Sequence, residues 1–179
     1  MSYEVLDSRL VYKGKVLDVY SDKVAMPNGN TATREVVVRG AAAAIVPVDK
    51  DGNIIFVRQY RHSVKDMVLE IPAGMVEKGE DPYESAKREL EEETGFKSDR
   101  LKFVTHLVMA IGICTEELYI YIATDLKPGV KHPDPDEFIE VEKYSLDEAV
   151  KMIYSGDIID GKTAAGILAY KDLLKENGI

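Results

Sequence analysis

The segment from Asp81 to Gly95 constrains this chain more than any other. Asp81, Pro82 and Glu84 supply an N-cap, a proline at the first helical position and a capping-box glutamate, and Gly95 supplies a stop, so the spacing predicts a helix over residues 82–94. Along it Glu80, Asp81, Glu84, Glu89, Glu91, Glu92 and Glu93 are set against only Lys87 and Arg88. Glu89, Glu92 and Glu93 stand at i, i+3 and i+4 and share one face, where each like-charged pair costs roughly 0.2–0.5 kcal/mol in an exposed helix. A free-standing acidic helix reads as a solvated face. Two features argue for more: Arg88 lies four residues before Glu92 and can hold it, and a hard divalent cation can bridge the remaining oxygens. The preceding Pro72-Ala73-Gly74 reads as a tight non-helical loop able to bring a backbone carbonyl to the same face. A carbonyl with carboxylates is the donor set of a magnesium shell.

Around this helix the pattern is mainly that of strands. Residues 9–12, 16–26 and 31–39 are rich in β-formers and are broken by Lys13-Gly14 and Asn28-Gly29, which predicts a meander of antiparallel strands. So small a sheet is marginal alone and leaves its edges open, which points to pairing with a second copy, a homodimer. AAAAIVPV and NIIFVRQYR flank Asp51-Gly52 and read as a hairpin of buried strands; MVLEIPAG reads as a strand running into a loop, and LKFVTHLVM and ELYIYIATDL as two more. The end of the chain is helical: Ser145 and Glu148 form a second capping box, Leu146, Ala149, Val150 and Ile153 recur at helical spacing, and Ile167, Tyr170 and Leu174 do so later. Strands with helices laid on them make a mixed α/β sandwich, expected over residues 41–179, with residues 1–40 as an N-terminal antiparallel appendage.

Charge narrows the partners. Lys and Arg number 23 against 32 Asp and Glu, a net charge of −9 that repels nucleic-acid backbones and anionic membranes. An anionic substrate must therefore arrive with cations. The longest apolar run, residues 41–48, is far short of the ~18 residues of a membrane span, and the first residues lack a basic stretch followed by an apolar one. Cys114 is the single cysteine, and His62, His106 and His132 are scattered, so neither a disulfide nor a zinc spacing is present and a cytoplasmic setting is expected. The three histidines read as surface or strand residues and Cys114 as an inert thiol.

Gly74, five residues, Glu80, seven residues, then Arg88-Glu89-Leu90-Glu91-Glu92-Glu93-Thr94-Gly95-Phe96 resembles the full signature of the Nudix hydrolases. The resemblance implies an α/β/α sandwich and hydrolysis of a nucleoside diphosphate linked to another moiety. It implies magnesium, with manganese as a substitute, held by Glu89 and Glu93, with Glu92 completing the shell, Arg88 orienting it and Ala73 lending its backbone carbonyl. Glu80 is a more peripheral acid, while Gly74 and Gly95 permit backbone turns. The chemistry agrees: a pyrophosphate is protected by its own charge, and metal ions shield it, polarise a phosphorus and lower the pKa of a bound water. Attack then requires a base.

Outside this signature TREVVVRG, VRQYRH and LEIPAGMVEKGE look like the ADP-ribose pyrophosphatase branch, whose N-terminal strands form a swapped dimer. The analogy implies that Arg34 and Arg61 touch the nucleotide or its phosphates and that Glu70 lies near the site. Two departures stand out. Ala110-Ile111-Gly112 replaces the branch's Ser-Pro-Gly, so the substrate is ADP-ribose or another nucleoside diphosphate sugar. Pro135 occupies the first of two acidic positions in a loop of that branch and Glu137 the second, which leaves Glu137 as the foremost distal carboxylate for catalysis and Glu116 as the next. The alternatives are a catalytically silent Nudix-like module that binds ADP-ribose and regulates a partner, and an isomerase or transferase on the same scaffold, for which no extra motif is present.

Overall fold

Residues 2–177 are described by the computed structural model, and the chain divides into two units, residues 1–41 with 107–117 and residues 42–106 with 118 onward. In the first unit, β1 (Glu4–Lys13), β2 (Asp18–Ala25) and β3 (Thr31–Val38) form the expected antiparallel meander in the order β1-β2-β3. Both turn signals act as turns: Gly14 N–H donates to Leu17 O, and Gly29, at φ 85°, donates to Met26 O. β1 begins earlier than its β-rich core suggests, and every one of its residues is exposed, Val5, Leu6, Leu10, Val11 and Tyr12 included. The segment 107–117 joins this unit through Val37 N–H to Ile113 O at 2.7 Å and Thr115 N–H to Val37 O at 3.0 Å.

The second unit is built on β4 (Ala42–Pro47), all six of whose residues are buried. It pairs parallel with β10 (Glu117–Thr124) and antiparallel with β7 (Ala73–Met75), in a mixed sheet of order β7-β4-β10-β9, where β9 is Arg100–Val108. A second sheet, β12-β5-β6, joins Glu140–Ser145, Asn53–Arg61 and Asp66–Glu70 antiparallel, and the short β8 (Phe96–Lys97) pairs with β11 (Lys127–Pro128). The helices are α1 (Pro82–Thr94), α2 (Leu146–Ser155) and α3 (Gly161–Asn177). Strand alternation places them on both sides of the mixed sheet. Ala43 and Ile45 point one way and pack with Ala86 and Leu90 of α1, together with Tyr121 and Ala123. Val46 and Ile120 point the other way and close on Gly166 of α3. This is an α/β/α arrangement.

Two local expectations are corrected. β4 and β5 are not a hairpin. The turn between them forms, with the Asp49 carboxylate accepting from the N–H groups of Asp51 and Asn53 and Gly52 at φ 82°, but after one bridge, Val48 to Ile54, the strands part into different sheets. A continuous apolar run buried on both faces is a central strand and takes partners at both edges, here β10 and β7. Pro72-Ala73-Gly74 is likewise no loop: residues 73–75 are β7, in register with Ala42–Ala44. Ala-Gly-Met carries little strand propensity, so tertiary pairing decides the conformation. The capping box of α2 forms as expected, but at α1 only the cap does: Asp81 accepts from Tyr83 N–H while the Glu84 carboxylate turns to Lys87 instead of reaching back to the cap, and Gly95 and Gly156 are left-handed at the C-termini. Among the described residues no helix is long and apolar enough to cross a membrane.

A Cβ at Gly166 would lie 2.9 Å from Val46 Cγ2 and 3.1 Å from Ile71 Cδ1. Gly166→Val is therefore expected to destabilise the protein by about 1–3 kcal/mol through overpacking. Calorimetry checks this, and an unchanged Tm contradicts the packing described.

Candidate active site

Ser85 and Ala86, Glu89 and Leu90, Glu93 and Thr94 are the buried residues of α1, a stripe that recurs every four positions. Leu90 and Ala86 seat the helix in the core, and that seating carries Glu89 and Glu93 inward with them. Glu89 is 9% exposed and Glu93 2%. Glu93 Oε2 accepts from the backbone N–H of Ala73 at 3.0 Å, so β7 reaches the carboxylate face through its first residue. Gly74 follows, and its role differs from the turn expected of it: its φ is not left-handed, and the constraint is contact, because a Cβ there would fall 2.1 Å from Cδ and Oε1 of Glu89. Gly95 is a true left-handed stop at φ 75°.

Arg88 organises the acids. Its Nε and Nη2 lie 3.1 Å from the two oxygens of Glu80, and its Nη1 lies 2.5 Å from Glu89 Oε1 and 2.9 Å from Glu92 Oε2. Nη2 also donates to Met75 O at 3.1 Å, which ties the guanidinium to β7. The acids on this face are held in unequal states. Burial pushes the Glu89 carboxyl up to about 7 against the pull of Arg88, and pushes Glu93 up to about 8, with the charge of Glu89 adding to it. The Arg88 bonds hold Glu80 below the usual carboxylate range. Among the described residues no three carboxylate, imidazole or thiol groups converge at metal-ligand distance, since Arg88 draws Glu89 and Glu92 to itself while Ala73 holds Glu93. The donor set nevertheless fits a hard divalent cation. Glu89 and Glu93 are oxygen donors, buried together, mutually repelling, and raised in pKa as a cation would reverse.

Other expected residues fall into both units. In the second, Arg61 and Glu70 form a two-pronged pair, Nε to Oε1 at 2.6 Å and Nη2 to Oε2 at 2.8 Å, with Glu70 2% exposed. The charge of Arg61 reaches Glu93. Glu137 lies in the acidic loop, its carboxylate 3.2 Å from Asp134 N, and its charge bears on both Glu89 and Glu93. That loop is pinned on α1: His132 N–H donates to Glu92 O at 3.0 Å, Val130 N–H to Glu91 Oε1 at 3.1 Å, and His132 Nδ1 stands 4.0 Å from Glu92 Oε1. In the first unit, Arg34 is exposed on β3 and donates to Thr33 O, and Glu116 is paired with Arg39 at 3.3 Å. Lys162 escaped sequence reasoning altogether. It binds both Glu70 and Asp160, at the start of α3, and Asp160 in turn accepts from Thr163 N–H at 3.0 Å. Only the Asp-Gly-Lys-Thr run, with an N-cap acid, hinted at this helix start.

Residues 38–164 match the NUDIX domain, and residues 3–37 match the nucleoside diphosphate sugar hydrolase N-terminal domain. This chain belongs to the NUDIX family. It is 38% identical over 159 residues to the ADP-ribose pyrophosphatase of Bacillus subtilis (strain 168), covering 88% of this chain and 86% of that one. It is 34% identical over 166 residues to the methanol dehydrogenase activator of Bacillus methanolicus, covering 92% and 90%. In three dimensions it matches the crystal structure of an ADP compounds hydrolase with a TM-score of 0.91 and 26% identity, over 99% of this chain and 97% of the other. Nudix hydrolases generally need divalent cations.

Gly74→Ala forces Glu89 away from its seat without touching a charge. Its kcat on the best nucleoside diphosphate sugar is expected to fall roughly a hundredfold, the scale of a misplacement near 1 Å, while circular dichroism stays that of the parent. A rate within a factor of two of wild type contradicts the role given to Gly74.

Proposed function

We propose that this chain is a magnesium-dependent pyrophosphohydrolase that cleaves ADP-ribose or a related nucleoside diphosphate sugar to a nucleoside monophosphate and a sugar phosphate. The observation that carries this reading is the buried pair Glu89 and Glu93 on the Arg88-clamped helix of a NUDIX domain. Glu89, Glu93 and Glu92, with the Ala73 carbonyl, are the residues assigned to the cation, and manganese is the expected substitute. Bound there, the cation supplies charge neutralisation for the diphosphate and acidifies water. Arg88 fixes Glu89 and Glu92 in place. Arg61, oriented by Glu70, is assigned to the phosphates, and Arg34, on β3 of the first unit, to the nucleotide or its phosphates. Water adds to one phosphorus as the P–O–P bond breaks, and Glu137 takes the proton of that water. Glu137 is preferred to Glu116 because its charge already bears on Glu89 and Glu93, whereas the Glu116 carboxylate is committed to Arg39.

The assembly assigned is a homodimer joined through residues 1–40, supported by the exposed apolar side chains of β1. The setting assigned is the cytoplasm, from the lone Cys114. A regulatory role is the second reading, favoured by the likeness to the methanol dehydrogenase activator of Bacillus methanolicus. The intact acids Glu89, Glu92 and Glu93 favour turnover.

Chelation is expected to abolish hydrolysis, and Glu93→Gln and Glu89→Gln each to lower kcat by a factor on the order of a hundred or more with the fold retained. Rates of monophosphate release with and without chelator measure this; full turnover in excess chelator overturns the assignment. Ile111 is 82% exposed, in a turn where Ala110 sits at φ 45°. Without a proline to stiffen that turn, at least one nucleoside diphosphate hexose is expected to be hydrolysed alongside ADP-ribose. A preference for ADP-ribose above roughly a thousandfold in kcat/KM, about 4 kcal/mol, contradicts this.

A further inference from the structure

Glu70 is a buried carboxylate shared by two cations, one half-exposed and one largely buried. Arg61, whose side chain is 40% exposed, holds it through Nε and Nη2. Lys162, whose side chain is 13% exposed, holds Oε2 from within. Burial alone would push the Glu70 carboxyl up, but the bond from Arg61 and the charges of Lys162 and Arg61 outweigh it, so Glu70 stays ionised. Lys162 is itself fixed. Its Nζ lies 3.0 Å from Asp160 Oδ2, and that oxygen also accepts from the N–H and hydroxyl of Thr163. Thr163 Oγ1 accepts in turn from Ile71 N–H at 2.9 Å, the residue after Glu70. The chain of bonds closes on itself and joins the start of α3 to the end of β6.

The charges explain why two cations are needed. With Arg61 alone, Glu70 would cancel the guanidinium charge, and a diphosphate approaching Arg61 would meet a neutral pair. With Lys162 supplying the second positive charge from the interior, the triad of Arg61, Glu70 and Lys162 is net positive and its open side is Arg61. Asp160 opposes this: paired with Lys162 Nζ, it brings the four groups to a net charge of zero, and its charge also reaches Arg61. What Lys162 secures is that the Glu70 charge is shared and not borne by Arg61 alone. We propose that Lys162 is a positioning residue for substrate binding: it shares the charge of Glu70 from the interior, so that Arg61 keeps part of its positive charge for the diphosphate. Asp160 sets how much of that charge remains. This rests on the assignment of Arg61 to the phosphates.

The test is a pair of substitutions with opposite expected signs. Lys162→Met keeps the unbranched side chain to within one atom of its length and removes its charge; KM for ADP-ribose is expected to rise about tenfold with kcat within about threefold of wild type. Lys162→Arg is expected to restore KM to within about threefold. Asp160→Asn keeps a good N-cap while removing the opposing charge, and is expected to lower KM by about threefold. A purely structural network would lose stability and kcat in all variants and would never lower KM. An unchanged KM in Lys162→Met overturns the proposal, as does a raised or unchanged KM in Asp160→Asn; the latter variant decides alone if Lys162→Met does not fold. If the wild-type protein hydrolyses no nucleoside diphosphate sugar, the functional reading fails separately. The same opposite shifts in the Kd of ADP-ribose, by calorimetry in chelator, then decide the role of Lys162.

Discussion

The burial of Glu89 and Glu93 on α1 is the constraint from which the rest of the second unit follows. Two carboxylates placed where a helix ordinarily presents apolar side chains must be compensated, and the surrounding residues show how. Leu90 and Ala86 hold the helix against Ala43 and Ile45. β7 passes close enough for Ala73 to donate to Glu93, which is possible only because Gly74 leaves room for Glu89. Arg88 collects Glu80, Glu89 and Glu92 and anchors itself to Met75 O. What remains under-compensated is the buried pair, Glu89 raised to about 7 and Glu93 to about 8, and this is the deficit a divalent cation would meet.

The two sheets of that unit serve this helix in different ways. β4 and β7 give it a floor and a backbone donor. β5 and β6 bring Arg61 and Glu70 toward Glu93 from another side, and α3 reinforces them through Lys162 and Thr163. On the proposed reading, a net-negative chain would meet an anionic substrate through a few guanidinium and ammonium groups set among carboxylates, which suits a metal-loaded diphosphate better than a bare polyanion.

Much of this was legible in the sequence because the informative signals were local. Asp81, Pro82 and Gly95 delimited α1 to the residue, Ser145 and Glu148 marked the start of α2, and Arg88 at four residues before Glu92 announced their pairing. The spacing of acids put Glu89 and Glu93 on one face, and both are buried there. What escaped was non-local. Nothing near Asp51-Gly52 distinguishes a hairpin from two strands that turn and part, since the choice is made by β10 and β7, distant in sequence. Gly74 reads as a turn glycine until the Glu89 carboxylate is found against it. Lys162 lies ninety-two residues from Glu70, and only the folding of α3 onto β6 reveals the pair.

The carboxylates of α1 are assigned as a cation site. Manganese binding to the folded protein, followed by electron paramagnetic resonance without substrate, tests it most directly. Saturable binding is expected for the wild-type protein, with a Kd at least about tenfold weaker, some 1.4 kcal/mol, in folded Glu93→Gln. Equal manganese affinity in the two proteins would contradict it.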